Sequence, residues 1–287
     1  MKIALLQMNS IADVSANIKQ MNDLAEQAVR LEQPDMIVTP EIWNWFGGST
    51  ADKLANADQK RGGRSYQAAQ ALAKKHKVWL HAGSIVELTD GGKVSNVTYV
   101  FDRAGQEVAR YCKIHMFDIT GPDGARYEES ATVKPGRDIV TYECEGITIG
   151  CAICYDLRFP ELFQALAQQG AEVIMLPAAF TQQTGKDHWE VLIRARAIET
   201  ETYMVAAGQT GGHKSEDGSI RHCYGHSLIA DPWGHVIARA SDGVGLTAGR
   251  IDKAYIGKCR KQIPVLEHKV IGTSRMPLRP KLTVAAE

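Results

Sequence analysis

The sequence predicts an α/β protein in which sheets are covered by helices on their outer faces. Two observations predict this. Short apolar runs with strand composition alternate with longer segments of helical period. Strands also outnumber helices through the middle of the chain, so there is more sheet than a single simple βα alternation would use. The absence of any low-complexity linker or internal repeat predicts one principal domain, residues 1–268, followed by a tail, 269–287.

The elements follow in order. Ile3 to Met8 is a short apolar run that reads as a buried strand. From Ser15 to Leu31 the residues Ile18, Met21, Leu24, Ala25, Ala28 and Leu31 recur at helical spacing. Met36 to Thr39 is a second strand, stopped by Pro40. A helix over Ser65 to His76 leads into a strand at Val78 to Leu80. Asn96 to Phe101, Glu107 to Lys113, Ile139 to Tyr142 and Ile147 to Ile153 are strands, the first two joined by a turn at Asp102 to Gly105. Glu161 to Gln169 and Asp187 to Thr200 are helices, with a strand at Val173 to Leu176 between them. Strands are then expected at Tyr203 to Ala207, Ser227 to Ala230, Val236 to Ala240 and Leu246 to Ile251. Phe117 to Arg137 and Gly211 to Tyr224 read as long loops, and beyond Pro264 periodicity is lost.

Composition narrows the function. Lys+Arg and Asp+Glu both number 33 in the 287 residues, so no excess charge points to nucleic acid or an anionic membrane. The apolar run after Met1 is too short for a signal peptide, and no stretch approaches the roughly 20 apolar residues of a membrane span. A cytosolic setting is the expectation, with the six cysteines reduced.

Three segments place a reactive side chain at the end of an apolar strand, where α/β sheets carry their sites. The first is Ile37-Val38-Thr39-Pro40-Glu41. The second is the run from Arg110 to Asp118, with Lys113 at the strand end. The third runs from Ile147 through Cys154 to Pro160-Glu161, a strand-to-helix elbow with Pro at the helix start. Taken singly, Glu41 and Lys113 read more readily as surface residues and Cys154 as a buried core thiol. A redox role for Cys151 and Cys154 is disfavoured, because residues three apart on a strand face opposite ways. A zinc site lacks a second Cys/His pair of suitable spacing. His115, His188 and His226 are candidate bases for a Cys–His pair, and nothing in the sequence selects among them.

Taken together and in this order, the three segments resemble the Glu–Lys–Cys signature of the nitrilase superfamily of carbon–nitrogen hydrolases. The matching residues are Pro40-Glu41, Tyr111-Cys112-Lys113-Ile114-His115 and the stretch from Cys154 through Tyr155, Asp156, Leu157, Arg158 and Phe159 to Pro160-Glu161-Leu162. His188-Trp189-Glu190, Arg194 to Thr200, Tyr224-Gly225-His226-Ser227 and Asp231-Pro232-Trp233-Gly234 are similar to the deaminated glutathione amidase branch and, less closely, to the omega-amidases that act on alpha-ketoglutaramate. The resemblance implies a four-layer α-β-β-α sandwich, commonly paired into a dimer to which the tail would contribute. It implies Cys154 as nucleophile, Glu41 as general base, Lys113 as stabiliser of the developing oxyanion and, aligning on Ser130, Glu129 as a second glutamate, with Glu128 the alternative. It implies hydrolysis of a small carboxylate-bearing amide to acid and ammonia through a thioester, without metal or organic cofactor. A catalytically silent binding subunit on the same fold is the reading from another class.

Around these residues, Tyr155 is expected to offer a backbone N–H to the oxyanion. Arg158 is a candidate for the substrate carboxylate, or else a structural partner of Glu161. Phe180 and Thr181, just past Pro177, are expected in the pocket, and Arg194 and Arg196 read as structural partners of Glu199 and Glu201. The tryptophans Trp43 and Trp45, close behind Glu41, are expected to reshape the pocket.

Overall fold

The structure, a computed structural model, describes residues 1–121 and 124–271. The first half builds β1 (Lys2–Gln7), α1 (Val14–Glu32), β2 (Met36–Val38), α2 (Thr50–Asn56), α3 (Arg64–His76), β3 (Trp79–Leu88), β4 (Val94–Phe101) and β5 (Glu107–Cys112). Next come the short strands β6 (Asp118–Thr120) and β7 (Arg126–Glu128), then β8 (Thr141–Cys144) and β9 (Ile147–Cys151). The second half continues with α4 (Pro160–Gln168), β10 (Val173–Met175), α5 (Gln182–Thr200) and β11 (Tyr203–Ala206). It closes with the hairpin β12 (Thr210–Lys214) and β13 (Ile220–Tyr224), then β14 (Leu228–Ala230), β15 (Val236–Arg239), β16 (Gly245–Arg250), α6 (Lys253–Gln262) and α7 (Val265–His268).

Two six-stranded sheets face each other, ordered β16-β1-β2-β3-β4-β5 and β15-β14-β11-β10-β9-β8. The period-two alternation of β1 shows how the layers form. Ile3 and Leu5 enter a core shared with Ile149 and Cys151 of the opposite sheet. Ala4 and Leu6 point the other way, into a core with Met21 and Leu24 of α1 and Leu72 of α3. The second sheet is covered likewise, since Leu162, Phe163 and Leu166 of α4 and Ile193 of α5 pack on its strands. This is the expected α-β-β-α order. Both sheets are buried on both faces, which is why their central strands read as continuous apolar runs.

The two sheets repeat one topology. β1-β2-β3 are parallel, and so are β9-β10-β11. Each trio carries one antiparallel strand on its first side, β16 or β8, and two on its last, β4-β5 or β14-β15. The expectation of no internal repeat therefore misses a repeat of strand order, with a proline, Pro40 or Pro177, soon after the middle strand of each parallel trio.

Several expectations need correction. Gly211 to Tyr224 is not a loop but the hairpin β12–β13, whose turn uses Asp217-Gly218. The β6–β7 pair and a 3₁₀ turn at Glu129–Ala131 interrupt the loop from Phe117 to Arg137. The strand after Val78 runs on to Leu88, and α5 begins at Gln182, earlier than expected. Helix α6 has no counterpart among the expected elements. The expected subunit contact of the tail falls largely on 272–287, outside the described residues. Among the described residues no helix is long and apolar enough to cross a membrane.

Candidate active site

The ends of β2 and β5 in one sheet and of β9 and β10 in the other converge on one buried point. Pro40 stops β2, and Glu41 follows as a buried residue with its carboxylate turned inward. The next residue, Ile42, adopts φ 41, a left-handed conformation rare for a β-branched side chain. Its N–H is held by the Ser84 hydroxyl at 2.8 Å. Gly83 makes this possible, because a Cβ there would meet the Pro40 carbonyl oxygen far inside van der Waals contact. The irregular stretch of β3 can therefore approach only as glycine.

Lys113 follows β5 directly and is buried. Its Nζ lies 3.0 Å from Glu41 Oε1 and 2.8 Å from Glu129 Oε2. Burial pulls the ammonium toward a lower pKa, but the charges of Glu129, Glu41 and Cys154 outweigh it and hold the group above the ordinary lysine value. Glu129 also accepts from the Phe117 N–H at 2.7 Å. Glu128 instead is exposed and pairs with Arg126 at 2.9 Å. Of the two adjacent glutamates, Glu129 is therefore the one that meets Lys113.

Cys154 stands at the elbow between β9 and a 3₁₀ turn, Cys154–Arg158, with φ 46. Strain of this kind costs about 1–3 kcal/mol and gathers at functional sites. The Cys154 N–H donates to the Pro177 carbonyl at 2.9 Å. The Tyr155 N–H, in the first turn, has no backbone acceptor among the described residues and is free to face a ligand. Burial, the largest influence, pushes the Cys154 thiol well above its ordinary pKa. Glu41 adds to the rise, while Lys113 and the Ala179 N–H oppose it. The thiol is thus protonated at neutral pH in the free protein, and attack needs a neighbouring base.

Two buried polar residues tie the site together: Asn96, which lies outside the motifs, and Asp156, which lies inside the Cys154 motif without a role expected for it. Asn96 donates to Glu41 Oε1 at 2.9 Å and reaches Glu129 Oε1 at 3.5 Å. Its one signal in the sequence is an amide inside β4, a strand buried along its whole length. Asp156, fully buried, accepts from the Tyr111 hydroxyl at 2.7 Å, the His115 N–H at 3.1 Å and the Ile153 N–H at 2.8 Å. It therefore joins the segment around Lys113 to the elbow of Cys154. The Ala179 N–H completes the frame, donating to Glu41 Oε2 at 2.8 Å from the opposite sheet.

These groups open on a cavity of about 470 Å³, within the usual range for small-molecule sites. Tyr155, Phe180 and Thr181 line it, together with Phe46, Phe117, Tyr127 and Arg221. Arg158 is not among the lining residues. Its guanidinium lies 3.3 Å from His188 Nδ1 and over the Phe180 ring, and among the described residues it does not pair with Glu161. Trp43 and Trp45 do not line the cavity either; both are buried in cores behind it, and Ile42 and Phe46 face the space instead. Arg196 pairs with Glu199 at 2.9 Å, as expected, but Arg194 reaches Glu190 and the Gly234 carbonyl. None of the candidate histidines lines the cavity. His115 is held by Asp156 at 2.7 Å, His188 by Arg158, and His226 lies 3.2 Å from Asp242. Among the described residues no group of three His, Cys, Asp or Glu side chains is arranged to hold a metal ion.

A family model described as carbon–nitrogen hydrolase matches residues 2–261. A deaminated glutathione amidase from Synechocystis is 39% identical over 276 residues, 93% of this chain and 97% of its own. The human protein of that name is 38% identical, over 93% of this chain and 81% of its own. Among solved structures, the NitFhit protein of Caenorhabditis elegans superposes with a TM-score of 0.85 at 33% identity, covering 93% of this chain, which spans 64% of that longer one. Nit3 of Saccharomyces cerevisiae, a member of branch 10 of the nitrilase superfamily, superposes with a TM-score of 0.81 at 30% identity, covering 92% and 94% of the two chains.

Proposed function

This chain belongs to the carbon–nitrogen hydrolase family and is an amidase, and we propose that Cys154, Glu41, Lys113 and Glu129 carry its reaction on a carboxylate-bearing amide of the deaminated glutathione type. The observation that carries the reading is the cluster itself: a buried thiol, a carboxylate beside it, and an ammonium held between two glutamates.

Glu41 takes the thiol proton as Cys154 attacks the amide carbon. The carbonyl π electrons move to oxygen, and the resulting oxyanion lies between the Lys113 ammonium and the Tyr155 N–H. At about 4 Å and an effective dielectric of about 20, one such charge contact gives roughly 4 kcal/mol. Glu41 returns the proton to the nitrogen, the carbon–nitrogen bond breaks, and a thioester remains on Cys154. Water, losing a proton to Glu41, then attacks the thioester; the acid leaves and the thiol is restored. Glu129 acts by holding Lys113. For deaminated glutathione the departing amine is cysteinylglycine; ammonia is the product only from a primary amide.

The names of the relatives favour deaminated glutathione over the omega-amidase alternative, and the intact cluster speaks against a silent binding subunit. The test measures hydrolysis of deaminated glutathione, followed by cysteinylglycine, against alpha-ketoglutaramate, followed by ammonia. The longer amide is expected to give the higher kcat/KM. A higher value for alpha-ketoglutaramate would move the enzyme to the omega-amidase branch.

We read the protein as a cytosolic homo-oligomer, most simply a dimer. Val191 and Ile198, two turns apart on α5, are exposed, and so are Trp233 and Ile237. Such an apolar set is suited to a second copy. Sedimentation equilibrium at micromolar concentration should give twice the monomer mass, and a monomer there would refute this reading.

A further inference from the structure

Four cations line the cavity among the described residues: Lys53, Lys113, Arg126 and Arg221. Three carboxylates line it, Glu41, Glu128 and Glu129, so the walls carry one positive charge in excess. Lys113 is held by Glu41 and Glu129, and Arg126 by Glu128. Lys53 donates to the Thr132 hydroxyl and lies in the field of Glu129. Neither Lys53 nor Arg221 has a carboxylate within ion-pair distance among the described residues, but of the four only Arg221 also keeps a buried side-chain N–H without a partner there.

Its surroundings are built nonetheless. The guanidinium carbon lies 5.3 Å from the Phe46 ring centre, 5.0 Å from that of Tyr127 and 5.8 Å from that of Phe117. Rings at these distances hold the plane of a guanidinium without neutralising it. Its Nε is buried and bonds to nothing among the described residues. One Nη2 hydrogen bond, 3.2 Å to the Ala179 carbonyl, fixes the fork. The N–H of that same residue holds Glu41 Oε2. A single peptide residue therefore links the guanidinium to the base of the reaction. Arg221 reaches this place because β13 runs beside the segment after β10, through the Thr181–Cys223 bridge. Residues 221 and 223 share a face of that strand.

We propose that Arg221 is the specificity-determining residue that binds the carboxylate of the substrate's acyl part, in the role the sequence offered to Arg158. Arg221 is half-buried, with a buried Nε that lacks a partner among the described residues, and a planar carboxylate offers the matching two-pronged partner. The short path from Arg221 through Ala179 to Glu41 suits an acyl chain of a few carbons, with the carboxylate at one end and the scissile amide at the other. This proposal rests on the amidase reading of the site.

The experiment compares glutaramate with its methyl ester, an amide of nearly the same shape without the charge. Wild type should prefer the anionic amide, and Arg221→Gln should reduce that preference in kcat/KM about 100-fold, mostly through KM. Arg221→Lys, which keeps the charge and most of the stem packing, should retain a measurable part of it, and this variant decides the matter if the Gln variant does not fold. A preference unchanged in both variants would overturn the proposal. Glutarate binding to Cys154→Ala by calorimetry separates the two readings. Binding that weakens about 100-fold on adding Arg221→Gln supports the carboxylate site even if wild type hydrolyses neither amide, in which case only the amidase reading fails. Glutarate binding that is absent, or indifferent to Arg221, overturns the carboxylate site.

Discussion

The two sheets share a strand order but contribute differently to the site. After β2, the sequence Val38-Thr39-Pro40-Glu41 sends a carboxylate into the centre; after the equivalent β10, Met175-Leu176-Pro177-Ala178 sends none, and its backbone acts instead. The Pro177 carbonyl holds the Cys154 N–H, and the Ala179 N–H holds Glu41. The first sheet thus brings Glu41 and Lys113, while the second brings Cys154 and the backbone donors. Placing the carboxylate and ammonium on one rigid layer and the thiol on the other fixes their distances by packing between the sheets rather than by any one loop.

The sharpest way to break this division is to remove one side at a time. Cys154→Ala should lower kcat by about 10⁴-fold or more, and Glu41→Gln nearly as much, with the double variant no worse than the weaker single one, because the groups act as a unit. Additive losses measured in steady-state kinetics would mean that the two sheets act independently. Next in size is Lys113→Met. It should cost about 10²–10³-fold in kcat through the lost oxyanion contact. It should also destabilise the fold by about 3–5 kcal/mol in urea titration, since Glu41 and Glu129 would then face each other without a cation. Gly83→Ala tests the first sheet's backbone alone. The clash with Pro40 should cost about 1–3 kcal/mol and displace Glu41, lowering kcat without touching any ionisable group.

The smallest effect concerns pH. With the Cys154 thiol raised above the ordinary range, its thiolate fraction near neutrality is below that of a free cysteine, and it grows as pH rises. Alkylation by iodoacetamide, read by loss of activity, should therefore accelerate continuously from about pH 7 to about pH 9. A rate already at its plateau near neutrality would mean a preformed thiolate paired with Lys113, and would move the proton-transfer role away from Glu41.

The strand-end residues are legible because each follows a strong local signal. Pro40 stops a strand before Glu41, and Pro160 opens a helix behind Cys154. What the sequence hides depends on contacts between distant segments. Arg158 follows the elbow in sequence, yet the 3₁₀ turn carries it to His188 on α5. Arg221 is remote from Glu41 along the chain and reaches the cavity only because the expected loop is a hairpin laid beside the segment after β10. Its Gly211-Gly212 and Asp217-Gly218 pairs read as loop chemistry, although the second pair is the turn of that hairpin. Trp43 and Trp45 are close to Glu41 in sequence, but the left-handed Ile42 that precedes them turns both side chains into the core. Asn96 is hard to single out because the apolar residues around it dominate the strand composition of β4.

In the proposed reaction Cys154 carries the acyl group between two chemical steps. Wild type mixed with deaminated glutathione, acid-quenched within the first turnover and digested, should yield a Cys154 peptide heavier by one acyl group less one hydrogen, with an equal burst of cysteinylglycine. Cysteinylglycine released by Cys154→Ala at the wild-type rate, or an acyl group found on a different residue, would contradict it.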